Sequence, residues 1–158
     1  MSSADTLVVA VFDDPDVAWD TVVDARVSAA SGAFEIEDAC LVARDPEGVV
    51  HLRESSEMSP RAGAGYGGVW GLVIGAFIGF PLAAAAGGAV AGAYALKRRD
   101  FGITDDFEQA VADRLQPGKA AAIALVERAD AHRVESLAAG RGAWVRKVEL
   151  DDVPSQPR

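Results

Sequence analysis

The first fifty residues combine short apolar runs with one stretch of helical spacing. Thr6–Phe12, TLVVAVF, is a β-branched run typical of a strand that is buried on both faces of a sheet. Asp13 or Asp14 then suits a helix cap, because Pro15 at the first helical position needs no N–H donor. The apolar positions of this helix recur at helical spacing: Trp19, Val22, Val23, Val27 and Ala30. Gly32 predicts its end.

Two further strand-like runs, IEDACLVARD and VVHLRESS, predict a β-hairpin, since the DPEG between them offers Pro46 and Gly48 for a turn. After residue 103, Thr104 suits a helix cap. The inner face of that helix is predicted to carry Phe107, Ala110, Val111 and Leu115. KAAAIALVER then predicts a strand, DAHRVESLAAG a short helix that Gly140 ends, and AWVRKVEL a last strand. In this strand Trp144, Arg146, Val148 and Leu150 alternate.

The order of elements is β-α-β-β, an inserted segment, and α-β-α-β, which predicts an α+β fold. With the segment removed, the first six elements follow the ferredoxin-like order, an antiparallel sheet with helices on one face. A further α–β pair extends that sheet. We therefore expect residues 1–60 and 100–153 to form one α/β domain, residues 61–99 an inserted Gly/Ala-rich αα-hairpin, and residues 154–158 a tail.

The inserted segment reads GAGYGGVWGLVIGAFIGF and then PLAAAAGGAVAGAYALKRR, and it repeats small residues every fourth position. Residues four apart share one face of a helix, so another backbone can approach closely there. Gly costs about 1 kcal/mol against Ala inside a helix, so contact with a partner has to stabilise the hairpin. The predicted oligomerisation positions are Gly63, Gly67, Gly71, Gly75, Gly79, Gly87, Gly88, Ala91, Gly92 and Ala95, and a bulkier membrane or core face carries Trp70, Val73, Ile74, Phe77 and Ile78.

Other interpretations of this glycine stretch are weaker. Gly63, Gly65 and Gly68 match the dinucleotide-binding pattern, but that loop must follow a strand directly and needs an acidic residue about 20 positions on. Neither condition is met, because no Asp or Glu occurs between Glu57 and Asp100. A flexible linker would be polar and Ser-rich, whereas Trp, Leu, Val, Ile and Phe are interleaved here.

Whether the hairpin enters a membrane stays open at this point. As helices, Ala62–Phe80 would span about 28 Å and Leu82–Leu96 about 22 Å, against a hydrocarbon core of about 30 Å. The first arm carries seven strongly apolar aliphatic or Phe residues, but the second is mostly Ala and Gly. A basic flank suits a membrane hairpin with both ends in the cytoplasm and equally suits a water-soluble bundle: Arg61, Lys97, Arg98 and Arg99.

Composition narrows the class of partner. The 158 residues carry a formal net charge of −9, which argues against nucleic acid, because phosphate binding needs a basic surface. Ala62–Leu96 contains no charged residue over 35 positions, so the chain is polar, then apolar, then polar. Cys40 is the only cysteine, and the first residues lack the features of a secretory signal. We therefore expect a cytoplasmic location, associated with the cytoplasmic face of the membrane.

Four motifs in this order resemble a bacterial and archaeal family, domain of unknown function family 1269, whose members are often labelled as membrane proteins. They are IEDACLVARDPEGVVHL, GGVWGLVIGAFIGF, DFGITDDF and LQPGKAAAIALV, and the likeness runs from TLVVAVFDD to WVRKVEL. The resemblance implies a glycine-rich hairpin in an α/β frame and implies no catalytic residues. The second arm is richer in alanine than the resemblance leads us to expect.

The residues with reactive side chains do not predict an enzyme, a cofactor or a metal site. His51 and His132 have no partner at ligand spacing. Cys40 lies in an apolar strand and reads as a buried structural thiol; a nucleophilic pair with His51 would need the two hairpin strands to place them side by side. The acidic clusters at Asp13, Asp14 and Asp16 and at Asp105 and Asp106 start helices, where capping explains them.

Two functions remain. In the first, the chain is an assembly protein of more than two copies, held by its hairpins in or beside the membrane, with lipid as a possible second partner. In the second, a ferredoxin-like regulatory domain binds a small ligand or partner, and the hairpin only anchors or multimerises it.

Overall fold

The computed structural model of the chain describes residues 6–54 and 104–150. In these ranges the elements are β1 (Thr6–Phe12), α1 (Pro15–Ala30), β2 (Ile36–Arg44), β3 (Val50–Glu54), α2 (Asp105–Arg114), β4 (Ala120–Val126), α3 (Arg128–Ala139) and β5 (Trp144–Glu149). The helices and strands predicted for both ranges are confirmed. The αα-hairpin predicted for residues 61–99 lies outside the described residues.

The five strands form one sheet in the order β3-β2-β4-β1-β5, and every neighbouring pair is antiparallel. β4 therefore lies between β1 and β2, and β1 lies between β4 and β5. The register centres on Ile123 of β4, which is opposite Val9 of β1 on one side and Cys40 of β2 on the other. Strands from the two halves of the chain are thus interleaved.

This strand order differs from the one predicted for the first six elements. A ferredoxin-like arrangement of those six would place β3 inside the sheet, between β1 and β2. In the structure β4 takes the inner place, and β3 is an edge strand that pairs with β2. The reason is polarity: β4 reads AAAIALV and is apolar throughout, whereas β3 exposes His51 and Arg53, which suit an edge.

Helices cover both faces of the sheet, so the expectation of helices on one face is wrong. α1 and α3 pack on one face and α2 on the other. All seven residues of β1 are buried, as predicted, and a strand that is apolar on both faces requires cover on both. In β5 the predicted alternation is confirmed, since Trp144 and Val148 contact the α2 side and Val145 contacts the other.

Helix α1 begins where the sequence predicts but buries a different face. Asp14 is the N-cap, and its Oδ1 accepts from the N–H of Asp16 at 2.9 Å. Of the apolar positions noted in the sequence, Val22 is buried, whereas Val23 and Val27 are 41% and 62% exposed. The buried face is instead mostly of small residues: Ala18, Thr21, Val22 and Ala25. The facing sheet carries alanines too, so the smallest side chains allow the closest approach.

Candidate functional site

The residues predicted to hold copies together, the bulky membrane or core face and the basic flank all fall within residues 61–99. That segment lies outside the described residues. The structure describes the frame, which comprises residues 6–54 and 104–150, and the two residues of the frame that flank the segment, Glu54 and Thr104.

Glu54 is the last residue of β3 and is opposite Cys40 in the middle of β2. β3 runs away from the turn that joins it to β2. After the inserted segment, Thr104 is the N-cap of α2, and its side-chain oxygen accepts from the N–H of Phe107 at 3.2 Å. α2 ends near the β2–β3 turn, and its ten residues place its start about 15 Å from that end. Both flanking residues therefore lie away from that turn.

Arg44 ties the end of α2 to the β2–β3 turn. Its Nη1 donates to the carbonyl of Leu115 at 3.2 Å, and its Nε donates to the carbonyl of Gly48 at 3.4 Å. Its backbone accepts from the N–H of Gly118 at 2.7 Å and donates to the carbonyl of Lys119 at 2.9 Å. One arginine thus joins the turn before the inserted segment to the loop that follows α2.

The β2–β3 turn itself is held by Asp45. Its Oδ1 accepts from the N–H of Val49 at 2.8 Å, and its Oδ2 lies 2.9 Å from Nε2 of His51. Gly48 has a φ of 86°, which an L side chain rarely adopts, as the predicted DPEG turn requires. The hydrogen bond from His51 holds the pKa of Asp45 below its ordinary value of 3.8; partial burial acts against this, and the Val49 N–H adds to it.

The structure does not bring the reactive side chains together. Cys40 is 4% exposed within the core on the α2 face. It pairs with Glu54 in the β2–β3 ladder, whereas His51 pairs with Ala43, so the side-by-side Cys–His arrangement is not formed. His132 is exposed on α3, 3.9 Å from Glu135. Within the described residues no group of three or more His, Cys, Asp or Glu side chains is placed to hold a metal ion.

A small cavity of about 30 Å³ lies between α1, α3 and the sheet. Its lining is apolar and consists mainly of alanine and valine side chains, among them Ala10, Ala25, Ala122 and Val134. This volume suits one or two atoms of a side chain rather than a ligand, since ligand pockets are typically about 300–1,000 Å³. None of the helices in the two described ranges has both the length and the apolar character to cross a bilayer.

A comparison with protein families shows which family this chain belongs to. The model of a family described as "Protein of unknown function (DUF1269)" matches residues 64–156, more than half of the chain. The chain belongs to this family. The family predicted from the sequence motifs is thereby confirmed, and the match covers three of the four motifs, with IEDACLVARDPEGVVHL lying before it. No curated protein and no solved structure matches the chain.

Within the part matched by DUF1269, two arginines meet one tryptophan. The guanidinium carbon of Arg114, in the last turn of α2, lies 5.3 Å from the ring centroid of Trp144, and that of Arg146 lies 5.5 Å from it. Outside the matched part, the guanidinium carbon of Arg53 in β3 lies 3.6 Å from the ring centroid of Trp19 in α1. The sequence places Trp144 and Arg146 on one face of a strand, but sequence reasoning missed Arg114, because its element is distant along the chain.

Proposed function

We propose that this DUF1269 protein is a non-enzymatic assembly protein, and that its glycine-zipper hairpin packs against more than two copies of the same chain in or beside the cytoplasmic membrane. The observation that carries the proposal is the four-residue ladder of small residues in an uncharged stretch of 35 residues. Such a face gains stability only when another backbone lies against it. Two arms offer separate stripes, so one serves the hairpin and another a neighbouring copy.

The frame supports this arrangement through the position of its two connections. Glu54 and Thr104, the described residues that flank the inserted segment, lie at the ends of β3 and α2 that are far from the β2–β3 turn. The frame is closed by contacts between its own halves, with Cys40 and Val42 in one cluster with Phe107 and Val111. A domain of this kind presents an inserted hairpin to its neighbours, and the rest of it faces the cytoplasm.

We also propose a ferredoxin-like core that differs from the one predicted by the sequence. It comprises β1–α1–β2 and β4–α3–β5. In each unit the two strands are separated by a strand of the other unit. β3, the inserted segment and α2 then form one long insertion between the two units.

The test of the zipper is to replace a glycine of the ladder by a bulky residue. Gly71→Leu or Gly75→Leu places a side chain where backbones meet and overpacks each contact by about 1–3 kcal/mol, repeated in every subunit. We expect the molar mass, measured by light scattering after size exclusion with and without detergent, to fall towards that of the monomer. Val73→Ala, on the other face, is the matched control and should keep the assembly. A wild-type monomer in both conditions, or a Gly75→Leu variant of unchanged mass, rejects the zipper.

A second experiment separates the hairpin from the frame. Replacement of Ala62–Leu96 by a short Gly-Ser loop should release the protein from membranes after washes at high salt and alkaline pH. Insertion of a few Gly-Ser residues between Asp45 and Gly48 is the control, since this turn lies away from both connections, and it should leave the oligomer unchanged. If the loop variant still sediments with membranes, the frame itself binds them.

The second candidate function is a regulatory domain that binds a small ligand and is multimerised by the hairpin. The observation that favours it is the convergence of Arg114 and Arg146 on Trp144. In this case the frame binds a ligand, and the hairpin only holds the copies together.

A further inference from the structure

Arg114 and Arg146 contact an aromatic ring, whereas most of the other cationic side chains of the frame lie close to a carboxylate. Arg26, Lys119, Arg128, Arg133, Arg141 and Lys147 each lie within 4.0 Å of a carboxylate. Across the described ranges, Arg114 and Arg146 make no such ion pair and lie instead on the indole of Trp144. This is unexpected in a chain with 24 acidic residues against 15 basic ones.

Both guanidinium carbons lie within 5.5 Å of the centroid of the same ring, so the two positive charges share one aromatic side chain. Like charges in such proximity repel. Contact with the electron-rich face of an indole offsets part of that cost and orients each planar group. Trp144 is half-buried and packs against the core on the α2 face, so the ring is a fixed support for both cations.

We propose that Arg114 and Arg146, held on Trp144, form a binding site for a phosphate group. A guanidinium presents its donors in a planar fork that matches phosphate oxygens two at a time. A phosphate monoester has three terminal oxygens and close to two negative charges, so one group can face both arginines. A carboxylate has two oxygens and one charge, which one arginine already satisfies.

The site lies at the end of the sheet that carries the β2–β3 turn. Trp144 is opposite Val11, near the end of β1 that leads into Asp13 and Asp14, and Arg114 is in the last turn of α2, next to the β2–β3 turn. Glu54 and Thr104, the described residues that flank the inserted segment, lie at the other ends of β3 and α2. The site contains no residue of the proposed zipper, and it supplies the second candidate function with a ligand class.

The experiment is calorimetric titration of the full-length protein with inorganic pyrophosphate, at low and at physiological salt. Because hydrogen bonds to charged groups contribute about 1.5–3 kcal/mol, Arg114→Gln or Arg146→Gln should each weaken binding roughly 10-fold to 100-fold. Arg128→Gln, an exposed arginine that pairs with Glu149, is the matched control and should change binding less than about twofold. Arg146→Lys keeps the charge but loses the fork, and should fall between Arg146→Gln and the wild type.

A parallel titration with vesicles separates the sources of phosphate. Vesicles of neutral lipid with and without phosphatidic acid are compared, with the two arginine variants beside the wild type. Loss of binding to phosphatidic acid in the variants supports the site and assigns its phosphate to a lipid headgroup. No binding of wild type to pyrophosphate or phosphatidic acid, or equal weakening by Arg128→Gln, overturns the proposal.

Failure of this site and failure of the zipper are distinguishable. The arginine variants should keep the molar mass of the wild type, because both side chains are exposed on the frame. Gly75→Leu should change the molar mass and keep pyrophosphate binding. Circular dichroism of each variant confirms that the frame is folded before the binding constants are compared.

Discussion

The two faces of the sheet are packed with side chains of very different size. Towards α1 and α3 many of the buried residues are alanines: Ala10, Ala18, Ala25, Ala120, Ala131 and Ala138. Towards α2 the core consists mainly of large residues: Leu7, Val9, Val11, Val42, Phe107, Val111, Leu115, Ile123 and Leu125. The first face is stabilised by close approach of helix and sheet, and the second by the volume of its side chains. Loss of side-chain volume should therefore destabilise the face towards α2, whereas gain of side-chain volume should destabilise the face towards α1 and α3.

The largest effect is expected on the α2 face. Ile123 is 1% exposed at the centre of the sheet, so Ile123→Ala removes buried volume that neighbours refill only partly. We expect a loss of about 2–5 kcal/mol in the free energy of unfolding, measured by denaturant titration. Ile123→Val, which removes one methylene, is the graded control and should cost about 0.5–1.5 kcal/mol. A loss below about 2 kcal/mol for Ile123→Ala would contradict the view that side-chain volume stabilises this face.

The alanine face should respond to enlargement instead. Ala18 of α1 is fully buried against the sheet, so Ala18→Leu forces the helix away from it. The expected cost is about 1–3 kcal/mol, read from the same denaturant titration. Ala30→Leu at the exposed end of the same helix is the control, with a change within about 0.5 kcal/mol. Equal effects at both positions would show that close approach does not govern this face.

One position on the alanine face should tolerate a larger side chain. Val134 of α3 lines the apolar cavity of about 30 Å³, which has room for one more methyl group. Val134→Ile should raise the free energy of unfolding by up to about 0.8 kcal/mol, as for one buried methylene. Val23→Ile, on the exposed side of α1, should leave the midpoint of thermal unfolding unchanged. A clear destabilisation by Val134→Ile means that the cavity is not available to this side chain.

The smallest effect belongs to the β2–β3 turn, which lies outside both faces. The pKa of Asp45 is lowered in the folded state, so the unfolded state binds the proton more readily. Stability from this carboxylate is therefore present above about pH 3.8 and is lost as the pH falls through the lower folded value. Asp45→Asn should lower the midpoint of thermal unfolding slightly at pH 6. The difference between this variant and the wild type should disappear towards pH 2. The same trend in the His51→Gln background would exclude His51 as the cause.

Local chemistry explains what the sequence predicts correctly in this fold. Asp14 and Thr104 cap their helices through hydrogen bonds within three residues, and Gly48 adopts the positive φ that its turn requires. The buried strand β1 was recognisable because apolar residues occupy both of its faces. Each of these signals lies within a few residues of the structure that it specifies.

The errors of prediction concern contacts between distant parts of the chain. β1 pairs with β4 across the whole inserted segment, so the strand order depends on which later strand is apolar enough for the centre. The buried face of α1 depends on the alanines of the sheet that it meets, not on its own most apolar residues. The candidate phosphate site was missed for the same reason, since Arg114 and Trp144 meet only once α2 lies over β5.

The interleaving of β4 between β1 and β2 also sets the order of events during synthesis. Phe12 finds its partner Ala120 only after more than a hundred further residues have been made. At about 5–20 residues per second the ribosome needs on the order of ten seconds for that interval. The glycine-rich segment emerges within this time, before the central strand of the sheet exists. Under the proposed function, the segment is available to lipid or to a neighbouring chain while the frame is still open, and the frame closes after it.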